Sequence, residues 1–422
     1  MLYGLQENVQ LSKILLVAAI SLFFVGCSNP IGDIERIRKW EPIHYELCKA
    51  NIVATNIPFD IGVNINVSSL PTRYDSSNSS RAHIILKNGL DLMPGSEFVT
   101  IFGQMGTAFT GWSNDGSKFV IASGWSDPQW AMREEYYQNF LFNSNFQRSD
   151  NYLMDFTTMR GFNVTAVEEV SYFNGGATFF PGDDSRMTFS ALVNNENRLF
   201  TMNADGTNKQ PSVSTPGYAY GYSISPDGTK YSFHSNYQVF IGDVATGQEI
   251  HVSTPCPFNF GPAWSPDSSK ILFSCGADNN SPDLYVANRD GSNAHYLASK
   301  NGFVGTVPFM DGYDYHGGGT DWITWSKDSQ YVFMAQGAED GKIEMFRINA
   351  NTAFNERITH SSPGVWNNFP NISPDGKWLL LSSTQAGARN LHMINLTTLE
   401  NTQITNLRSD CMARYGQWRK QL

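Results

Sequence analysis

One stretch of this chain gathers residue types that do chemistry: Asp311-Gly312-Tyr313-Asp314-Tyr315-His316-Gly317-Gly318-Gly319-Thr320-Asp321-Trp322. Asp311, Asp314 and Asp321 offer oxygens that suit calcium or another hard divalent cation, and His316 adds the nitrogen that transition metals prefer. Three consecutive glycines let the backbone come close to a ligand, because no Cβ excludes it. The spacing is neither that of an EF-hand loop nor that of a zinc-protease helix. A turn-rich loop whose Asp carboxylates cap backbone amides reads the same residues without any ligand.

The elements that position this stretch are set by a recurring phrase: an aromatic or aliphatic residue, Ser, Pro or a substitute, Asp, then Gly or Ser. It occurs as Trp112-Ser113-Asn114-Asp115-Gly116, Ile224-Ser225-Pro226-Asp227-Gly228, Trp264-Ser265-Pro266-Asp267-Ser268, Trp325-Ser326-Lys327-Asp328-Ser329 and Ile372-Ser373-Pro374-Asp375-Gly376. Phe180-Pro181-Gly182-Asp183-Asp184 is a weaker copy. Each predicts a tight turn between two strands, and Met202-Asn203-Ala204-Asp205-Gly206-Thr207-Asn208 and Asn288-Arg289-Asp290-Gly291-Ser292-Asn293 predict a second hairpin in their units. Two hairpins per unit make a four-stranded blade, and units of about 40–47 residues are the spacing of β-propellers. The expectation is an all-β propeller of seven blades, its last inner strand near Tyr415-Gly416-Gln417-Trp418 and its closing strand supplied from 82–102.

Both tight turns of each blade fall on one face, so the other face carries the longer loops. It takes the insertion from 124 to 150, with Trp125, Trp130, Tyr136, Tyr137, Phe140, Phe142 and Phe146, and the insertion from 301 to 321. Trp366-Asn367-Asn368 and Tyr218-Ala219-Tyr220 precede inner strands on that face, and His234 and His316 are expected there too. Long loops on one rim of a rigid scaffold are where function usually sits. Aromatics such as Trp125, Trp130, Tyr137, Tyr313, Trp322 and Trp366, beside Asn367, suit stacking on sugar rings or on a protein surface. His251, His295, His360 and His392 sit on or beside strands and read as structural.

The phrases Ser-Pro-Asp-Gly and Met-Asn-Ala-Asp-Gly-x-Asn resemble the repeats of TolB-like propellers over roughly residues 105–422. The stretch 28–80 leaves no room for the α/β domain that precedes the propeller in TolB itself. The resemblance implies fold and leaves function open. Some polysaccharide lyases use seven-bladed propellers related to these repeats, and their chemistry needs a base at the uronate C5 proton and a cation or metal on its carboxylate. His316, His234, Tyr220 and Tyr315 are the candidate bases here, with Arg133 or Arg148 as neutralisers. The paired-His metal signature of oligogalacturonate lyases is absent, and no Gly-x-Ser-x-Gly elbow suggests a peptidase. The leading expectation is a non-catalytic binding or scaffold protein for an envelope protein or polysaccharide; the rival is a uronate lyase.

Composition fits: Gly 36, Pro 19 and 13% aromatic residues in 422 favour a turn-rich all-β chain, and the net charge of −10 argues against nucleic acid. Lys13 and the apolar run Ile14 to Val25 resemble a signal peptide too short to span a bilayer. Phe24-Val25-Gly26-Cys27 resembles a bacterial lipobox, with Phe24 in place of the usual Leu and Cys27 as the lipidated residue. Ser28 resembles an outer-membrane sorting residue, which implies a lipoprotein facing periplasm or cell surface, in contact with membrane through its anchor alone. The organisation expected is 1–27 signal peptide, 28–80 tether and peripheral segment, and 81–422 propeller. Cys48, Cys256, Cys275 and Cys411 remain for disulfides; Cys256 with Cys275 joins loops on one face, and Cys48 with Cys411 would latch the chain ends.

Overall fold

The computed structural model describes residues 51–54, 56–67, 80–85, 87, 99–101, 107–123, 150–158, 161–165, 176–193, 196–212, 219–277, 283–299, 301, 323–409 and 411–420. They form a β-propeller of seven blades, each four-stranded and antiparallel within the blade. The inner strands are Thr107–Trp112, Thr178–Phe180, Ala219–Ile224, Phe258–Trp264, Ile323–Trp325, Asn367–Ile372 and Cys411–Trp418. Several successive inner strands pack against one another around the ring, so they line its centre. Numbered from the seam, blade 1 contains Cys411–Trp418, blade 2 starts with Thr107–Trp112, and blade 7 with Asn367–Ile372.

The seven-blade count and the seam agree with the sequence reading, but the seam takes three N-terminal strands. Cys411–Trp418 pairs with Ile61–Val67, which pairs with Ser80–Ile85 and then Val99–Ile101. Ile61–Val67 lies upstream of the expected boundary at 81, so the propeller takes in part of the stretch read as a tether. Its buried Ile61, Val63 and Ile65 explain why: the strand fills a core, although its Asn64 and Asn66 make it look polar. A short ladder of Asn51–Ile52 with Thr405–Asn406 pins the chain one step earlier.

The repeated phrase is a hydrogen-bonded unit. Ser113, Ser225, Ser265, Ser326 and Ser373 each donate Oγ–H to the Asp two residues on, at 2.5–2.7 Å. Each Ser Oγ also accepts the first backbone N–H of the next strand, at 2.9–3.0 Å. Hydrogen bonds from Ser113 and Ser117 hold the Asp115 carboxyl below the usual range. At Asp227 burial opposes the charge, yet Ser225, Thr229 and Arg289 bring the carboxyl down to about 2.

Where the phrase has Ser in place of Gly, the side chain has a use. Ser268 and Ser329 take positive φ, 61° and 59°, and their hydroxyls accept Asp227 N–H and Asp267 N–H of the preceding blades, both at 3.0 Å. In blade 3, Asp184 does the same for Asn114 N–H at 2.6 Å. The aromatic residue of the phrase works inside the ring. The indole N–H of Trp112, Trp264, Trp325 and Trp418 donates to Gln417, Ser223, Ala263 and Asn371 carbonyls of the preceding inner strand, at 3.1–3.5 Å. The turn face is therefore knit blade to blade.

Candidate functional site

The opposite face carries the connections from one blade to the next. Cys256 and Cys275 are joined there by a disulfide with Cα atoms 5.5 Å apart, as the topology of the sequence predicted. Cys411 is also disulfide-bonded; Cys48, its expected partner, lies outside the described residues.

Four inner strands share a device at this face. Gly221, Gly261, Phe369 and Tyr415 have φ of 65°, 63°, 56° and 54° and lie three residues before the strand-ending Ile or Trp. Pairing slips at or beside these points, so each strand bulges. The residues just before the bulge, Tyr220, Phe260, Asn368 and Arg414, therefore occupy equivalent positions on the four inner strands. Glycine meets the positive φ at two blades. Aromatics do so at the other two, where the Phe369 and Tyr415 rings meet edge to face at 4.6 Å.

His234 lies in the wall of this face, Cα-paired with Tyr220. It is 5% exposed, packs edge to face on Phe260, and accepts Gly261 N–H at Nδ1 over 3.3 Å. Burial pulls its pKa down to about 4. The imidazole is thus neutral, with its proton on Nε2 and its lone pair engaged, an arrangement unsuited to proton abstraction. The expected role of base does not fit it. His392 is likewise buried, its Nδ1 bonded to Asn401 Oδ1 at 3.0 Å.

Asn367, expected to touch ligand, is fully buried. Its Nδ2 donates to Ile343 O, Glu344 Oε2 and Ser361 Oγ at 2.9–3.1 Å. Strand alternation turns it into the seam with blade 6. At the centre of that seam is Glu344, 0% exposed. Its carboxylate also accepts from Arg357 Nη2 and Ser361 N–H, each at 2.7 Å, from Ser361 Oγ at 3.2 Å, and from Thr359 Oγ. Sequence reasoning passed over Glu344, whose signal was a carboxylate inside the apolar run Ile343-Glu344-Met345-Phe346. Trp366 differs from its neighbour: it is 40% exposed, with its indole N–H on Gly341 O at 3.2 Å, so its ring faces solvent.

Arg389, also unforeseen, follows the Gly387 turn of blade 7 and pairs with Met412 of the blade 1 inner strand. Its guanidinium carbon sits 5.6 Å over the Phe369 ring. The candidate residues Trp125, Trp130, Tyr137, Tyr313, Tyr315, His316, Trp322 and the metal set Asp311, Asp314 and Asp321 lie outside the described residues, as does the Tyr220 side chain and Cys27. Among the described residues there is no group of three or more potential metal ligands, and no helix is long and apolar enough to cross a membrane.

Residues 235–412 match the TolB β-propeller domain family. The fold is that of a TolB-like propeller. A puromycin-hydrolysing peptidase of Mycobacterium tuberculosis has a similar structure, with TM-score 0.56 and 10% identity over 86% of this chain and 54% of that one. TolB from Acinetobacter baumannii gives TM-score 0.47 and 13% identity over 87% and 68%. An oligogalacturonate lyase in complex with manganese gives TM-score 0.47 and 14% identity over 70% and 75%. An uncharacterised protein of Agrobacterium fabrum is 25% identical over 203 residues, 46% of this chain and 62% of its own length. At these identities the TolB-like fold is what is shared.

Proposed function

We propose that this TolB-like propeller is a non-catalytic binding protein of the bacterial envelope, anchored through Cys27, that takes an envelope polysaccharide or protein on its loop-bearing face. The observation that carries this reading is the pair of half-exposed aromatics beside the bulged inner strands. Side chains of the repeated phrase on the turn face are committed to one another and to the next blade. The loop face presents Trp366 and Tyr237, each 40% exposed, around a ring of bulged inner strands. A flat aromatic beside polar amides is suited to stacking on a sugar ring or an apolar protein patch. The lyase reading loses His234 as its base and rests on Tyr220, Tyr315 and His316.

The test is affinity electrophoresis of the mature chain in alginate, pectin and ulvan, with absorbance of unsaturated uronate followed in parallel. Retardation in at least one polymer without new absorbance is expected. Trp366→Ala should weaken it at least fivefold, while Lys377→Ala on the turn face should leave it unchanged. Growing absorbance would establish the lyase instead. Loss with Lys377→Ala and none with Trp366→Ala would place binding on the wrong face.

A further inference from the structure

We propose that Asp340-Gly341, in the turn between Tyr331–Gly337 and Ile343–Asn349 of blade 6, is a self-modification site. There the Asp340 side chain closes on the backbone to a succinimide, which reopens in part as isoaspartate. This chemistry is independent of what the loop face binds.

Ring closure needs a carboxyl free to turn onto the next backbone nitrogen, and a next residue with no Cβ in the way. Six Asp-Gly pairs lie among the described residues, at Asp115, Asp205, Asp227, Asp290, Asp340 and Asp375; Asp311-Gly312 lies outside them. Five of the six are tied down. Asp115, Asp205, Asp227, Asp290 and Asp375 each accept the backbone N–H two residues on, at 2.8–3.1 Å. At Asp115, Asp227 and Asp375 the Ser two residues before adds its O–H.

Asp340 lacks each part of that lock. The residue two before it is Ala338, and the N–H two after it, of Lys342, goes to Glu339 O at 3.3 Å. Its side chain is 63% exposed, and the Lys342 ammonium lies 4.0 Å from it but 3.1 Å from Glu339. No hydrogen bond holds its carboxylate among the described residues. Its backbone is left-handed, φ 59° and ψ 31°, which is uncommon outside glycine. Gly341 stands in the open: a Cβ there would meet nothing within 4 Å, whereas at Gly116 and Gly206 it would strike backbone at 2.0 and 2.5 Å. Gly228 is as open, yet Asp227 is held by Ser225, Thr229 and Arg289.

The Gly341 nitrogen attacks Asp340 Cγ, and the carboxyl hydroxyl leaves with the N–H proton as one water. Water then opens the imide at either carbonyl. Opening at Cγ restores aspartate. Opening at the former backbone carbonyl leaves the chain running through Cβ and Cγ, one carbon longer, with no net change in mass. Gly364 N–H donates to Asp340 O at 3.1 Å and the Trp366 indole to Gly341 O at 3.2 Å. Isomerisation takes the first acceptor out of the chain and shifts the second, so it loosens the seat of the exposed Trp366.

The experiment is warm incubation of the mature full chain in weakly acid buffer, folded and in concentrated urea, followed by trypsin digestion and electron-transfer fragmentation, which distinguishes isoaspartate from aspartate. Cleavage after Lys327 and Lys342 puts Asp340 in a peptide of its own, apart from Asp311 and the other five pairs. In the folded chain the isomer at Asp340 should exceed that at any of the other five at least fivefold, and in urea the six should become similar. Asp340→Glu should remove the signal, because a six-membered imide closes far more slowly. Asp340→Asn should raise it at least fivefold, with ammonia leaving in place of water, and more so in weakly alkaline buffer. Equal isomerisation of all six in the folded chain, none at Asp340, or the same preference for Asp340 in urea would each overturn the proposal.

Discussion

Arg419→Ala should unlock the seam of the ring and lower unfolding free energy by about 3 kcal/mol, the cost of breaking a mostly buried ion pair. Arg419 joins three parts of the molecule. Its Nη1 meets Asp60 Oδ2 at 2.8 Å, where the Asp60 side chain is 8% exposed, and its Nε donates to Gly116 O at 2.8 Å. Its guanidinium carbon lies 3.6 Å from the Phe156 ring centroid. The backbone follows the same path: Arg419 N–H donates to Asp60 O, and Lys420 O passes where a Cβ on Gly116 would meet it at 2.0 Å. Urea unfolding followed by tryptophan fluorescence reads the effect, and Arg419→Lys, which keeps charge without the fork, should recover part of it. A change below about 0.5 kcal/mol, the range of ordinary surface substitutions, would mean that strand pairing alone holds the ring closed.

Glu344→Ala should cost still more, about 4 kcal/mol, because it strips the acceptor from a fully buried cluster of donors. Arg357, Thr359, Ser361 and Asn367 all converge on that carboxylate. Glu344→Gln keeps the volume but turns an amide donor toward donors, so most of the loss should persist. The same urea titration checks both, and the Arg419→Ala/Glu344→Ala double variant should be additive, since the two lie in different seams. A Glu344→Gln variant as stable as wild type would show that the cluster does not need its charge.

The repeats were legible because their chemistry is local. Ser, Asp and Gly within five residues close a turn by themselves, so position along the chain was enough to place six of the inner strands. Ile61–Val67 was not legible: its Asn64 is committed to the backbone of Phe109, accepting its N–H at 2.7 Å, and only the closed ring reveals that partner. Glu344 and Arg389 were missed for the same reason, since each is defined by a neighbouring blade. Asn367 was misjudged because a polar residue beside an exposed Trp366 reads as surface until strand alternation buries it. His234 sat on the face expected, but it is buried and a backbone amide of the next blade donates to its Nδ1.

Hydrogen–deuterium exchange of the mature full chain, with and without a saturating amount of the polymer that retards it, tests most directly whether the loop face is the binding surface. Added protection at 358–369 and 384–390, with no change in the turns at 113–118, 225–230, 265–270 and 373–378, is the predicted result. Protection confined to those turns would contradict it.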